Sequence, residues 1–390
     1  MFQMGNDIQV KTKVYEKRNS YQSLYICQGL TTPEDQTKRA LNILGQGIDH
    51  LPLEWKEILK QVILDLENPI SGQKTLVITP FVADEMRLLS DLDIPRYLYH
   101  RYRYDIFPLI RRLDNFPPYL QIEPTSICNY RCVFCYQIDE SFSGNKSEFM
   151  GSMTLDLFRR IVDEVEGNIE FISLASRGEP LICPDLSQMM EYSKGKFLNL
   201  KVNTNASLMT ESHCHTLLCG GAQTIVFSAD AATEPMYSKL RVKGNLDRVL
   251  KNIERFAKIR ETQYNDLPII TRVSGVYVND SQNIEDMKLL WGGLVDQISF
   301  VNYNPWEKIY NAPLSKINKP CSDLWRRMFI WYDGKVNPCD TDYKSTLAVG
   351  NIHEQSIVGI WNGGNYSALR KRHLKSQRKS LEPCRRCLLI

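Results

Sequence analysis

Apolar positions follow two different periods along this chain. Up to about residue 115 they recur every three to four residues, as at 59, 62, 63 and 66 within Leu53–Leu66. A second such run, Phe81 to Leu92, follows Thr79-Pro80, where proline suits the first helical turn. From Tyr119 onward, short β-branched and aromatic runs alternate with helical ones. Strands are predicted at Tyr119–Glu123, Ile169–Leu174, Leu198–Val202, Thr224–Ser228, Ile269–Val278 and Gln297–Val301. The intervening helices are predicted at 154–165, 184–196, 210–219, 246–260 and 283–292, the first capped by Thr154. Six strands alternating with helices predict a parallel sheet. The expected fold is α/β: a partial (β/α)6 TIM-like barrel over 116–305, a mainly helical N-terminal region over 1–115, and a small C-terminal domain over 306–390. In that last segment the alternation stops, and Tyr332-Asp333-Gly334-Lys335 predicts a hairpin turn between aromatic flanks.

Composition narrows the function classes. The 390 residues are 43% hydrophobic and 24% charged with a formal net charge of +3, which makes no case for nucleic acid or membrane binding. No apolar run reaches the length of a membrane span, and the polar start, Met1 to Lys13, lacks a signal-peptide core, so a cytoplasmic location is expected. Reduced cysteines belong in that compartment. The stretch Arg96–Arg112 alternates aromatic and basic residues, and a helix packed on the next domain explains it better than an RNA-binding face. Arg370–Lys379 is strongly basic and reads as a solvated helix face.

The chemistry lies in the 11 cysteines. Cys128, Cys132 and Cys135 form C-x3-C-x2-C directly after the first barrel strand, too tight for strain-free disulfides among themselves. Three thiolates can hold a multinuclear iron site with one iron open, whereas zinc cysteines usually come as C-x2-C pairs. Cys321, Cys339 and the terminal pair Cys384 and Cys387 make a four-thiol group, for which spacing alone leaves both zinc and an iron–sulfur cluster open. The turn Ser176-Arg177-Gly178-Glu179-Pro180, Asn203-Thr204-Asn205 and Ser228-Ala229-Asp230 all fall at the C-terminal ends of predicted strands, where barrels of this type place their functional groups.

Cys128, Cys132, Phe134 and Cys135 match every position of C-x3-C-x-aromatic-C, and residues 116–305 therefore resemble the radical S-adenosylmethionine (radical SAM) enzymes. The tail, with Cys321, Gly334, Cys339 and the distant C-x2-C, resembles that family's shortened SPASM or Twitch extension. The resemblance implies a 4Fe–4S cluster on Cys128, Cys132 and Cys135 whose open iron chelates S-adenosylmethionine, and an auxiliary 4Fe–4S cluster on Cys321, Cys339, Cys384 and Cys387. It implies that Gly178 and Glu179 end a Gly-Gly-Glu-Pro-like turn, with Glu179 holding the methionine ammonium. Arg177 replaces the first glycine, and either reaches substrate or the cofactor carboxylate or reflects tolerance at that position. Ser228 and Arg241 resemble residues that contact the ribose and carboxylate, Asn203 and Asn205 the ribose-contacting strand end, and Phe134, Tyr136 and Tyr277 the adenine surround. Taken singly, Ser228 reads as a turn residue, Arg241 as a helix-end charge and Tyr277 as core.

The implied activity is hydrogen abstraction from a substrate, with the tail cluster passing an electron. Dehydrogenation or epimerisation of a sugar, aminosugar or polyol leads, modification of a ribosomal peptide or protein is the alternative, and a zinc-stabilised binding protein is a distant third. The expected partners are a small-molecule substrate or peptide and a reducing donor such as flavodoxin or ferredoxin. Cys27, Cys183, Cys214 and Cys219 are unassigned; Cys183 and Arg177 are the catalytic candidates, although inert burial suits each of these cysteines better.

Overall fold

A computed structural model describes residues 21–26, 31–69, 74–144, 147–279 and 281–389. Cys27 lies outside the described residues. In chain order the strands are β1 (Tyr21–Ile26), β2 (Tyr119–Ile122), β3 (Arg131–Cys132), β4 (Phe171–Leu174), β5 (Asn199–Thr204), β6 (Thr224–Ser228), β7 (Arg241–Val242), β8 (Ile270–Tyr277), β9 (Gln297–Asn302), β10 (Arg327–Ile330), β11 (Lys335–Asn337) and β12 (Gly350–Asn351). The six expected strands pair in parallel in the order β2-β4-β5-β6-β8-β9, and the barrel architecture is as the alternation predicts. The helix Leu155–Val165 shows why: Thr154 accepts from the Leu157 N–H at its start, and Leu157, Phe158, Ile161, Val162 and Val165 form one buried stripe against the sheet.

The sheet does not stop at those six strands. β1 pairs antiparallel with β9, so the N-terminal region, expected to be helical, also contributes an edge strand. At the opposite edge β10 pairs in parallel with β2, and the β10-β11 hairpin, turning through Gly334 at φ +78°, carries the tail onward to β12. One ten-stranded sheet thus runs through all three segments. Both edges of the open barrel are covered by segments that lie outside its strand–helix alternation in sequence, so the outer strands of the sheet are β1 and the two-residue β12. These pairings span hundreds of residues, so no local pattern announces them.

The five helices Pro33–Gly47, Leu53–Glu67, Pro80–Arg87, Ile94–Asp105 and Phe107–Ile110 pack around their own core. That core includes Tyr119 and Phe171, the first residues of β2 and β4, so the helices close the barrel's N-terminal end, opposite the site. His100 stacks on Phe171 at 4.1 Å and Arg96 pairs with Glu170 at 2.5 Å. The aromatic–basic stretch is accordingly a packed helix: Tyr97, Leu98, Tyr102 and Arg103 are buried.

Along the barrel strands, Leu120, Ile122, Ile172, Leu174, Leu200, Val202, Ile225, Phe227, Ile298 and Phe300 belong to the core shared with the helices. Strand alternation then turns Gln121, Ser173, Lys201, Asn203, Ser228, Ser274 and Ser299 toward the interior. A barrel interior of this kind is ordinarily filled with Val, Ile and Leu; this one keeps Val226, Val276 and Val301 on the inward face but is otherwise largely polar.

Candidate active site and auxiliary metal centre

The cysteine loop leaves β2 at the C-terminal end of the sheet and is held from three sides. Gln137 donates from Nε2 to the carbonyls of Ser126 (2.8 Å) and Arg177 (2.5 Å). The Glu179 N–H donates to Ile127 O at 2.9 Å, locking the turn after β4 onto the loop. Gly178 sits in that seam: a Cβ there would lie 2.3 Å from Thr125 O and 2.6 Å from Ile127 O, so only glycine permits the approach. On the third side β3 pairs antiparallel with β7, setting Arg241 opposite Cys132. The Arg241 guanidinium reaches within 3.9 Å of Cys132 Sγ, lies 5.9 Å from the Phe134 ring, and pairs through Nε with Asp230 Oδ2 at 2.5 Å.

The sequence reading placed Asp230 in a strand-end turn but gave it no role. It is fully buried at the end of β6, and its Oδ1 accepts from the Val276 N–H at 2.6 Å. One carboxylate therefore orients Arg241 and ties the ends of β6 and β8 together. Its position beside the strand-end Ser228 was the available signal. In the metal-free chain, burial and the Glu179 carboxylate push the Cys128 thiol up to about 12. Burial pushes Cys132 up to about 11, with Arg241 opposing. Loading iron onto such thiols must release protons.

Glu179 is buried and accepts from Thr204 Oγ1 (2.5 Å), the Asn205 N–H (2.7 Å) and the Leu181 N–H (3.2 Å). Burial raises its pKa above the ordinary carboxylate value, while those donors and Arg241 pull the other way. Asn205 donates through Nδ2 to Asn129 Oδ1 at 3.0 Å, joining the β5 end to the cysteine loop. Glu179, Asn203, Asn205, Ser228, Phe134 and Arg241 thus gather at one end of the barrel, whereas Tyr277, expected beside adenine, shares the Val273 face of β8 and packs on the barrel–helix core. Among the described residues, Oδ1 of Asn203 and Oγ of Ser299 are buried with no hydrogen-bond partner. An interior with unmatched acceptors and hydroxyls fits a polar guest.

Arg177 and Tyr136 are placed differently from the sequence reading, whereas Cys183 has the inert burial that reading favoured. Arg177 is buried and spent on structure: it grips Glu123 with Nε at 2.7 Å and Nη2 at 2.6 Å, donates to Tyr343 O at 2.8 Å, and lies 4.3 Å over Trp331. It clamps the barrel to the tail. Tyr136 stacks on Tyr343 at 5.0 Å and donates to Ser176 O at 3.0 Å, which places its ring between the loop and the tail. Cys183 packs in the barrel–helix core, and burial pushes its thiol up to about 11. Cys214 is buried in that core too, whereas Cys219 is exposed beside Tyr264.

In the tail, Cys321, Cys339, Cys384 and Cys387 line a single cavity of about 30 Å³ together with His373 and Arg378. Four thiols around one void suit a closed tetrathiolate centre. The Cys321 N–H donates to His373 Nδ1 at 3.2 Å, and burial lowers the His373 pKa to about 3, so this ring is neutral. The basic run is only in part a solvated face: Lys371, Arg372, Lys375 and Lys379 are exposed, but Arg370 donates to Leu324 O (2.8 Å) and Trp361 O (2.7 Å), and Arg378 is buried against the cysteine pair. Charge counting along a helix misses this because a buried guanidinium can be satisfied by carbonyls alone.

Residues 122–289 match the Radical SAM superfamily, and residues 321–388 match SPASM, an iron-sulfur cluster-binding domain. The chain belongs to the radical SAM enzymes with a C-terminal SPASM-type cluster domain, a family that works with S-adenosylmethionine and, in this domain combination, two 4Fe–4S clusters. It is 22% identical over 280 residues to an S-adenosyl-L-methionine-dependent 2-deoxy-scyllo-inosamine dehydrogenase of Niallia circulans, covering 70% of this chain and 94% of that protein. It is 24% identical over 305 residues to a tungsten-containing aldehyde ferredoxin oxidoreductase cofactor-modifying protein of Pyrococcus furiosus, covering 65% of this chain and 83% of that one. Its fold is similar to Streptococcus suis SuiB bound to the precursor peptide SuiA, with TM-score 0.53, 16% identity, and coverage of 86% and 84% of the two chains. No helix among the described residues is long and apolar enough to cross a membrane.

Proposed function

We propose that this enzyme abstracts hydrogen from a small hydroxyl-rich molecule, a sugar, aminosugar or polyol, and dehydrogenates or epimerises it. The observation that carries this reading is the polar barrel interior, where Gln121, Ser173, Lys201, Asn203, Ser274 and Ser299 stand in positions that a closed core would give to aliphatic side chains. Hydroxyl and amide groups left without partners favour a guest that supplies hydrogen bonds. The relation to a 2-deoxy-scyllo-inosamine dehydrogenase over 94% of that protein's length points the same way.

In this reading 116–305 is the radical domain, 306–390 the auxiliary-cluster domain, and 1–115 the closure of the barrel's far end. Cys128, Cys132 and Cys135 hold the first cluster, and Cys321, Cys339, Cys384 and Cys387 the second. When bound, the first with S-adenosylmethionine supplies a 5′-deoxyadenosyl radical and the second an electron sink. Glu179 receives the methionine ammonium beside its three donors, and Arg241, held by Asp230, faces the carboxylate. Ser228, Asn203 and Phe134 line the nucleoside side. The compartment is the cytoplasm, with flavodoxin or ferredoxin as electron donor.

The test is deuterium transfer. The anaerobically loaded chain, given dithionite, S-adenosylmethionine and carbon-deuterated aminocyclitols or sugars, should yield deuterated 5′-deoxyadenosine. Transfer only from peptides would replace this reading with modification of a ribosomal peptide or protein. Abundant undeuterated 5′-deoxyadenosine with every candidate would overturn the proposed substrate class.

A further inference from the structure

We propose that Arg378 tunes the auxiliary cluster, its buried positive charge raising the cluster's reduction potential so that it accepts an electron. The inference rests on the reading of the four tail thiols as a cluster site. Arg378 is 1% exposed, although its sequence neighbour Lys379 faces solvent. Its guanidinium donates to Cys384 O (Nε, 3.0 Å), Cys387 O (Nη2, 2.9 Å), Leu389 O (Nη1, 2.7 Å) and Lys319 O (Nη1, 3.3 Å). It therefore stitches the segment entering Cys321 to the terminal cysteine pair, and it borders the cavity that all four thiols line.

Those carbonyls satisfy its hydrogen bonds but not its charge. Among the described residues no carboxylate forms an ion pair with it: the buried Asp342, whose charge acts on Cys384, is engaged by Tyr310, Thr346 and Leu347 instead. A guanidinium cannot shed its proton, and a buried, unpaired cation is costly. A cubane on four thiolates is a dianion when oxidised and gains one more negative charge when reduced, so the loaded site supplies the missing counter-charge. The attraction is stronger for the reduced state, and in a low-dielectric surround it is weakly screened. His373, neutral and accepting from Cys321, adds no second charge. A high potential suits removal of an electron from a substrate radical.

The test is an EPR-monitored redox titration of the full-length chain carrying Cys128→Ala, Cys132→Ala and Cys135→Ala, so that only the tail cluster is read. Arg378→Met should lower the midpoint by about 59 mV, a tenfold loss in the one-electron reduction equilibrium. Arg378→Lys, which keeps the charge but not the four carbonyl bonds, should stay near the parent, as should the exposed Lys379→Met. An unchanged midpoint in Arg378→Met, or equal falls in the Met and Lys variants, would overturn the proposal. Should Arg378→Met fail to hold iron, retention of cluster and potential by Arg378→Lys supports the charge. Loss in both assigns Arg378 to carbonyl binding alone and overturns it. A parent tail that binds zinc rather than iron would instead refute the cluster reading itself, a separate result.

Discussion

At the scale of single residues, the site is decided by close approaches more than by reactive groups. Gly178 is the sharpest case, since its missing side chain lets the turn after β4 lie directly against the backbone of the cysteine loop. Gly178→Ala forces a carbon to 2.3 Å from a carbonyl oxygen, and backbone atoms cannot swing aside as a flexible side chain would. The loop must shift, at a cost of about 1–3 kcal/mol. The expected outcome is a folded chain whose iron content falls toward that of the tail alone, measured by colorimetric iron and sulfide after reconstitution; full loading would show that the loop has slack. Glu179, by contrast, was legible from the resemblance of its turn to the family's Gly-Gly-Glu-Pro motif. Asp230 was not, because its value lies in partners from β7 and β8 that are distant in sequence.

At the scale of elements, the clamp between barrel and tail is ionic at its centre. Glu123, at the end of β2, and Arg177, after β4, are both fully buried and meet in a two-pronged contact beneath Trp331. Removing one member strands the other, so Arg177→Met should cost about 3–5 kcal/mol, whereas Arg177→Met with Glu123→Gln should recover much of the loss. Denaturant midpoints of the single and double variants decide this, and additive losses would mean the pair is not coupled. This contact also explains the departure from glycine at 177: the position carries a structural strut rather than a substrate contact. From sequence an arginine beside a catalytic turn reads as functional, because its partner's burial is invisible there.

At the scale of the whole molecule, three segments share one sheet, with the helical cap at one end of the barrel, the three-cysteine loop at the other, and the tail cavity beside the β10 edge, where Arg111 of the cap donates to Pro320 O next to Cys321. The two sites should therefore separate by function while depending on a common frame. Cys128→Ala should abolish 5′-deoxyadenosine formation. Cys384→Ala should preserve uncoupled cleavage of S-adenosylmethionine while product formation falls by at least an order of magnitude, as expected if the tail receives the substrate's electron. Liquid chromatography with mass detection on both products settles it, and normal product yield from Cys384→Ala would exclude the relay.

Local chemistry made much of this protein readable. Hydrophobic periods of two and 3.6 residues specify strands and helices wherever each buries one face, so the six-stranded alternation is legible along the chain itself. The cysteine spacing named the chemistry because metal ligands must be close in space, and here they are close in sequence too. The tertiary structure alone decided the rest: β1 and β10 covering the two barrel edges, Asp230 behind Arg241, Arg177 spent on Glu123, and Arg378 buried against the tail cysteines. Each depends on partners brought together by long-range pairing and on burial that turns an ordinary charge into a fixed one, and neither leaves a periodic trace along the chain.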